Sequence, residues 1–410
     1  MTESLNIQAQ LSNLSQRTKG DKVIWALVII LALVSMLVVY SATGSLAYKM
    51  YKGNTEIYLF KQIIFIIIGI TVIYFAHLVN YTMWSKVARV LFIISIPLLF
   101  YTLFFGVRMN EGSRWIKLPI INMTLQTSDL AKLALFMYLA RMLSKKQAVI
   151  KNFKEGYLPL IIPVLLVCVL IAPANLSTAL LLGSSCMLLF FIGRANMKHI
   201  LWTVGIAIIP LIFLIVSAIT KHNSSDNELQ VEKKSSSVLT GRVATWIGRV
   251  EGFIYGSKKS NNESAYQVEQ AKIAIAKGGL LGAGPGNSTQ RNFLPQAYND
   301  FIYPIIIEEY GMIGGAFIVF IYLIFLWRCI RIFKRCPYAF GAFLALGLSF
   351  TLVIQAVANM AVSVNLFPVT GVTLPLVSMG GSSFLFTCFS IGIILSVARN
   401  VEQLEGKQIN

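Results

Sequence analysis

GAGPGNSTQRNFLPQAYNDFIYPIIIEEYG, residues 282–311, is the stretch around which the rest of the chain is organised. Its first part is rich in glycine and polar residues, and it ends at Asp300, directly before a long apolar run. A carboxylate at the mouth of a membrane span is costly to desolvate, so such residues usually face a cavity, a partner or a substrate. Aspartate is also a favoured N-cap residue, near the positive end of a helix dipole. The stretch alone leaves both interpretations of Asp300 open.

The composition is that of a polytopic membrane protein. Of the 410 residues, 56% are hydrophobic and only 13% are charged, whereas charged residues make up about a quarter of a typical soluble domain. The net charge of +18 does not indicate nucleic-acid binding, because the basic residues are spread between apolar runs without an aromatic-interleaved patch. The five cysteines have no metal-binding spacing, so we interpret them as free thiols.

A transmembrane helix needs about 20 mostly apolar residues, and ten stretches satisfy this rule. They are residues 23–40, 57–75, 87–105, 127–143, 158–172, 177–192, 200–219, 301–327, 339–366 and 382–398. We therefore predict an all-α polytopic membrane protein with about ten transmembrane helices. The predicted parts are a cytoplasmic tail (1–22), helices one to seven (23–219), a large extracytoplasmic loop (220–300), helices eight to ten (301–398) and a second cytoplasmic tail (399–410).

Lysine and arginine set the predicted orientation, because short cytoplasmic loops carry an excess of both. Basic clusters follow the fourth and eighth predicted spans, at Lys145, Lys146, Lys151 and Lys154 and at Arg328, Arg331, Lys334 and Arg335. Both termini are then cytoplasmic, and the long loop lies outside. Residues 1–20 lack the apolar core of a signal peptide, so the first span should be retained.

The predicted 220–300 loop is far longer than an ordinary helix connection. Residues 221–237 are polar, as is typical of a mobile segment. Residues 265–277, AYQVEQAKIAIAK, instead predict an amphipathic helix that ends at the two glycines 278–279. A half-apolar helix of this kind is expected to lie at the bilayer surface.

Further polar groups lie beside the predicted outer side. Arg114 and Trp115 are either an interfacial anchor or a binding pair. Asp129 and Lys132 lie three residues apart on one face of the fourth span, as a structural ion pair or a functional one. IAPANLSTAL, residues 171–180, interrupts the apolar run between spans five and six. Non-helical backbone at that depth needs protein or water around it, which predicts a cavity.

Two classes of function remain at this point. One is a transporter or flippase with a polar site inside a helical bundle, and the other is an enzyme acting on a lipid-linked substrate at the outer face. The glycines of GAGPG do not form a nucleotide-binding loop, because no strand precedes them and no GKS or GKT follows. The chain has no convincing internal repeat, and its polar features gather on one side. This asymmetry favours chemistry at the surface.

The motifs resemble those of the shape, elongation, division and sporulation (SEDS) family of peptidoglycan glycosyltransferases, typified by FtsW and RodA. The similar segments are GSRWI (112–116), LQTSDLAKL (125–133), GAGPGNSTQ followed by LPQAYNDFIY (282–303), and TGVTLPLVSMGGSS (370–383). GPGNS is more similar to the division-type FtsW. The chain departs from the family in three places, with YNDF for HTDF around Asp300, Asn175 in the family's QPDLGT turn, and Asp129 for glutamate.

The resemblance implies that the protein polymerises lipid II into glycan strands at the outer face of the inner membrane, at the division septum, with Asp300 as the catalytic residue. The expected substrate contacts are Arg114, Trp115, Asp129, Lys132, Arg249, Gln270, Asn287, Ser288, Gln290, Arg291, Ser378 and Ser382. A divalent Mg or Mn ion would share the stabilisation of the phosphates, although no ligand cluster identifies one. The implied partners are a class B penicillin-binding transpeptidase and other membrane proteins of the divisome. Lipid II flipping and elongation-type polymerisation remain the alternatives.

Overall fold

The computed structural model describes residues 20–51, 55–109, 112–117, 124–225, 238–255 and 263–409. They form a helical bundle with one small sheet. The helices are α1 (Lys22–Ala42), α2 (Gly44–Tyr51), α3 (Glu56–Leu78), α4 (Tyr81–Phe105), α5 (Thr127–Lys145), α6 (Leu158–Ile171), α7 (Leu176–Ile192), α8 (Met197–Ser225), α9 (Val238–Tyr255), α10 (Glu263–Gly278), α11 (Ile302–Arg335), α12 (Ala339–Ser363) and α13 (Ser382–Ile409). A π-helical turn, Phe153–Tyr157, leads into α6.

Each of the ten predicted spans coincides with one helix, namely α1, α3 to α8 and α11 to α13. Within the described ranges, eight helices are long and apolar enough to cross a membrane. The other two are α7, which is apolar but has only 17 residues, and α5, which carries the charged Asp129 and Lys132 in its first turns. The predicted polytopic helical fold is confirmed. Helices suit such a chain because they satisfy every backbone polar group within one segment.

A three-stranded antiparallel sheet lies between α4 and α5 and was not predicted. It consists of β1 (Val107–Met109), β2 (Gly112–Lys117) and β3 (Thr124–Gln126), in the order β1-β2-β3. Trp115 on β2 pairs with Gln126 on β3. Two of the strands have only three residues, which is too short for a pattern of alternating polarity to reveal them.

Helix α12 is the centre of the bundle, where it packs against α5, α7, α11 and α13. Most of its residues are buried, whereas most side chains of α8 are exposed. Polar residues on such a buried helix must find partners inside the protein, because lipid offers none. The polar side chains of α12 are therefore candidate residues of a functional site.

The connection between α8 and α11 contains two helices. The predicted amphipathic helix is present as α10, and the chain leaves it at Gly279 with a φ of +52°. Helix α9 was not predicted. Helix α8 extends to Ser225, into the segment predicted to be mobile; residues 226–237 of that segment lie outside the described residues.

The interruption between α6 and α7 borders a small cavity, as the sequence predicts. Its polar lining comes from Thr102, Thr127, Ser128 and Asn175, and its volume of about 20 Å³ has room for about one water molecule. Asn175 begins α7, because its side chain accepts a hydrogen bond from the Thr178 backbone N–H at 3.3 Å.

Candidate active site

Asp300 lies at the end of the 279–301 segment, one residue before Phe301, the N-cap residue of α11. It is therefore one position away from the N-cap that one sequence interpretation assigned to it. Three consecutive carbonyl groups here are held by neighbours. The Met379 N–H donates to Tyr298 O at 3.0 Å, Ser378 Oγ donates to Asn299 O at 2.6 Å, and Asn359 Nδ2 donates to Asp300 O at 2.8 Å.

Two of the residues that hold this turn, Asn359 and Ser378, are themselves buried, and each makes two hydrogen bonds. Asn359 on α12 is 1% exposed, and its Nδ2 also donates to Val372 O at 2.7 Å. Ser378, in the 364–381 segment between α12 and α13, is 2% exposed and accepts from the Leu374 N–H at 2.9 Å. The turn that carries Asp300 is thus fixed to α12 and to the 364–381 segment together.

The charge of Asp300 affects the pKa of Tyr298, two residues earlier in the chain. Burial raises the pKa of the Tyr298 hydroxyl, and the negative charge of Asp300 raises that pKa further. A raised pKa keeps an acidic group protonated to higher pH. The Tyr298 hydroxyl therefore stays protonated to higher pH than that of an ordinary tyrosine.

Asp129 and Lys132 form a buried ion pair in the first turns of α5. Lys132 Nζ lies 2.6 Å from Asp129 Oδ1, and the two side chains are 12% and 4% exposed. Lys132 Nζ also donates to Gln355 Oε1 on α12 at 3.4 Å, and Gln355 Nε2 donates to Thr373 O at 3.0 Å. Gln355 lies one helical turn before Asn359, about 6 Å along the axis. One face of α12 therefore contacts both the lysine and the turn that carries Asp300.

Two small cavities meet at Lys132. One lies between α5, α12 and α13 and has a volume of about 20 Å³, and the other lies between α5, α7 and α12 at about 10 Å³. Lys132, Thr351 and Gln355 line both, and hydroxyl groups supply much of the remaining polar lining, from Thr178, Ser185, Ser383, Thr387 and Ser390. The lysine is therefore the cation best placed to meet a polar group entering the bundle.

Residues 288–290 of the 279–301 segment donate hydrogen bonds to the carboxylate of Glu308. Glu308 is 1% exposed and accepts hydrogen bonds from Thr289 N at 3.1 Å, Thr289 Oγ1 at 3.0 Å, Gln290 N at 3.2 Å and the Ser288 hydroxyl. Backbone N–H groups that converge in this way form an anion-binding nest. In this conformation Ser288 and the backbone of Gln290 bind an anion of the protein itself.

Helix α11 is interrupted at Gly311, and backbone N–H groups of the 279–301 segment bind carbonyl groups at the interruption. Gly311 has a φ of 70°, so the carbonyls of Glu308 and Glu309 accept from Ala283 N and Gly284 N at 2.8 and 3.0 Å. A Cβ atom at Gly311 would lie 2.1 Å from Leu280 O. Glycine is required here both by the left-handed backbone and by the close approach of the two segments.

Arg291 binds the end of α1. Its Nη1 donates to Ser41 O at 3.1 Å and to Ser41 Oγ at 3.0 Å, and the Ser41 hydroxyl donates to the buried carboxylate of Glu309. The guanidinium is thus part of a chain of hydrogen bonds between α1 and α11, and it is placed to hold the segment that precedes Asp300.

Four further predicted contact residues lie at the same end of the bundle as Asp300. Arg249 on α9 donates to Val369 O at 3.4 Å, Ser382 Oγ accepts from the Gln126 N–H at 3.0 Å, and Asn287 Nδ2 donates to Ala283 O at 3.0 Å. Gln270 is half-buried on α10.

Two predicted contacts lie on β2. Trp115 is half-buried there. Arg114 precedes it on the strand, but its side chain lies outside the described part of the structure.

Gln355 and Asn359 are the site residues that sequence analysis missed. Both are polar residues inside the apolar 339–366 stretch, and polar residues in a span mark functional sites by default. The sequence therefore indicated these two residues. Their hydrogen-bond partners could not be predicted, because they lie in segments that are distant along the chain.

Among the described residues, no group of three or more His, Cys, Asp and Glu side chains is close enough to hold a metal ion. Magnesium is usually bound through one or two carboxylates together with substrate phosphates and water.

The fold and this site define a polytopic membrane protein with a carboxylate and a buried ion pair at one end of its bundle. The model of the FtsW, RodA and SpoVE family, described as cell cycle proteins, matches residues 21–403. The chain therefore belongs to this family, as the motifs indicated.

Two relatives match over nearly their whole length. A probable peptidoglycan glycosyltransferase FtsW of Trichlorobacter lovleyi is 31% identical over 386 residues, covering 93% of this chain and 94% of the relative. The stage V sporulation protein E of Bacillus subtilis is 30% identical over 390 residues, covering 94% and 98%.

Solved structures share the fold. Thermus thermophilus rod shape determining protein RodA matches with a TM-score of 0.61 at 22% identity, covering 93% of this chain and 97% of that one. A chain from a study named "Structural coordination of polymerization and crosslinking by a peptidoglycan synthase complex" matches with a TM-score of 0.67 at 21% identity, covering 94% and 99%.

Proposed function

We propose that this protein is a peptidoglycan glycosyltransferase that polymerises lipid II into glycan strands. The observation that carries the proposal is the placement of Asp300. Its turn is fixed by three neighbours, and one of them, Asn359, lies a single helical turn from the residue that contacts Lys132. The turn of the carboxylate and the cation are thus both hydrogen-bonded to one helix, α12, which suits a reaction that needs a base and a site for phosphate. The FtsW name of a full-length relative supports the same reaction.

The reaction requires a base and a site for a leaving anion. A hydroxyl oxygen of one sugar attacks the anomeric carbon of another, a new C–O bond forms, and the bond from that carbon to the lipid pyrophosphate breaks. The pyrophosphate leaves with the bonding electron pair, and the hydroxyl proton passes to a base. Asp300 is the proposed general base.

Cations stabilise the departing pyrophosphate by charge-assisted hydrogen bonds. Lys132 is the first candidate, because it lines both cavities. Arg114, Arg249 and Arg291 are further candidates. Arg291 already binds Ser41. Its proposed role is to hold the 279–301 segment near the pyrophosphate and also to attract the pyrophosphate.

Polymerisation by the pure protein tests the function. Lipid II is incubated in detergent with the wild-type protein, alone and with a class B penicillin-binding transpeptidase, and glycan chains are separated by length. We expect chains of many disaccharides. If none forms in either mixture while vesicles containing the protein move lipid II across the bilayer, the protein is a flippase and the proposal fails.

The proposed cellular setting is the cytoplasmic membrane at the division septum, with both termini cytoplasmic and the 220–300 loop outside. The FtsW relatives favour division over elongation. The proposed partners are a class B transpeptidase and other membrane proteins of the divisome. The structural neighbour described as coordinating polymerization and crosslinking supports a transpeptidase partner.

Orientation is tested by labelling single cysteines in a background without the five native ones. Asn292 and Lys151 are exposed side chains on the predicted outer and inner sides. An impermeant thiol reagent applied to intact spheroplasts should label Asn292→Cys and spare Lys151→Cys until lysis. The reverse pattern would invert the proposed topology.

A further inference from the structure

Asn359 binds the residue that carries the proposed base, and it does so from the core of the bundle. The side chain is 1% exposed. A primary amide has two N–H donors, and here one points to Asp300 O at 2.8 Å and the other to Val372 O at 2.7 Å. The opposite amide orientation would place Oδ1 against two carbonyl oxygens, which repel it. The chemistry of the partners therefore determines which way the amide faces.

Asn359 differs from the other groups that hold the turn. Ser378 and Met379 both belong to the 364–381 segment, so their bonds to Asn299 O and Tyr298 O join one connecting segment to another. Asn359 belongs to α12, and its two bonds join both connecting segments to the central helix. Asn359 is thus a direct hydrogen-bond link between the Asp300 turn and the central helix.

A buried amide on a central membrane helix is also costly unless it is satisfied. Here both N–H groups are satisfied by main-chain carbonyls, one of which belongs to Asp300 itself, whereas Oδ1 is buried without a hydrogen-bond partner among the described residues. The bond is made to the main-chain carbonyl of Asp300, so it holds the backbone of this residue and does not use its carboxylate.

We propose that Asn359 is a positioning residue that sets the place of the Asp300 carboxylate relative to the bound substrate. The inference rests on the proposed role of Asp300 as the base. It assigns Asn359 no contact with the substrate. Its loss should therefore lower kcat and leave the KM for lipid II nearly unchanged, which is the pattern of an interaction needed in the transition state only.

The size of the effect follows from geometry. A displacement of about 1 Å in a reacting group costs up to about 10²-fold in rate. We expect Asn359→Leu, which removes both donors and keeps the number and branching of the side-chain heavy atoms, to lower kcat by about 10- to 100-fold, with the KM changed by less than about 3-fold. Asn359→Ala removes the same donors without filling the space, so agreement between the two variants isolates the lost hydrogen bonds from packing.

Ser363→Ala is the matched control. Ser363 is a buried polar residue one turn further along α12, and its hydroxyl donates only within the helix, to Asn359 O at 2.9 Å. It should keep kcat within about 2-fold of wild type, as expected for a weak hydrogen bond inside one helix. Thermal unfolding in detergent and size-exclusion profiles are compared for all variants.

Hydrogen exchange read by mass spectrometry gives a measurement that does not depend on catalysis. In Asn359→Leu the peptides covering residues 294–303 and 370–381 should exchange faster than in wild type, while those of α12 itself should not. Ser363→Ala should leave both peptides unchanged. A merely structural role predicts faster exchange throughout the bundle and a lower unfolding temperature.

The outcomes separate this inference from the proposed function. If Asp300→Asn is inactive but both Asn359 variants keep kcat within about 2-fold of Ser363→Ala, the positioning role is overturned and the base stands. A loss confined to KM, or exchange that rises everywhere, also overturns it. If wild type forms no glycan, the proposed function fails, and if Asp300→Asn polymerises normally, the function stands but Asp300 is not the base. In either case the positioning role of Asn359 is overturned with it.

Discussion

Asp300→Asn is expected to lower the rate of glycan polymerisation by about 10²–10⁴-fold, the range for the loss of a general base. Asparagine has nearly the same shape as aspartate but accepts no proton at neutral pH. The bonds that fix the turn are made by the carbonyls of residues 298–300, which the substitution leaves in place. The variant should therefore fold and bind lipid II, and the loss should appear in kcat.

The control for this prediction is Glu269→Gln, which neutralises an exposed carboxylate on α10 at the same end of the bundle. It should remain as active as wild type. Asp300→Glu keeps the charge but moves the carboxylate by one methylene, so we expect activity between those of wild type and Asp300→Asn. If Asp300→Asn forms glycan chains at the wild-type rate, Asp300 is not the base, and its role is limited to the start of α11.

The helices of this fold could be predicted from sequence, because hydrocarbon imposes one requirement on every span. Each needs about 20 apolar residues with its backbone bonds satisfied internally, and the sequence displays this directly. Helix α10 was found for a related reason, since its amphipathic pattern ends at two glycines. The small sheet was missed because its strands are short. Helix α9 was missed although its apolar residues recur at helical spacing, at Leu239, Val243, Trp246, Val250 and Ile254.

The site was only partly predictable, because its geometry depends on contacts between distant segments. The position of Asp300 before an apolar run singled it out, and Asp129 and Lys132 are close in sequence. The bonds from Asn359 to Asp300 and from Gln355 to Thr373 join residues that no local pattern pairs. The sequence also could not reveal that Ser288 and Gln290 wrap the carboxylate of Glu308, because that nest depends on the break at Gly311.

The ion pair of Asp129 and Lys132 gives the second large prediction. Lys132→Met should leave a buried carboxylate without its cation, because Asp129 is only 4% exposed and its Oδ2 has no hydrogen-bond partner among the described residues. Removing one member of a buried pair typically costs about 3–5 kcal/mol. We therefore expect a lower unfolding temperature in detergent and little active protein from this single variant.

The double variant Asp129→Asn with Lys132→Met separates the structural role of the lysine from its proposed role in catalysis. Replacing both members of a buried pair is often neutral for stability, so the double variant should unfold near the wild-type temperature. If Lys132 holds the departing pyrophosphate, the stable double variant should still be slower, by about 10²–10³-fold for the loss of one electrostatic stabiliser. Asp129→Asn alone also breaks the pair but keeps the cation, so it should retain more activity per folded molecule than the double variant. A stable double variant that polymerises lipid II at the wild-type rate would show that Lys132 serves only to neutralise Asp129, and the phosphate site would then have to be sought at Arg249 or Arg291.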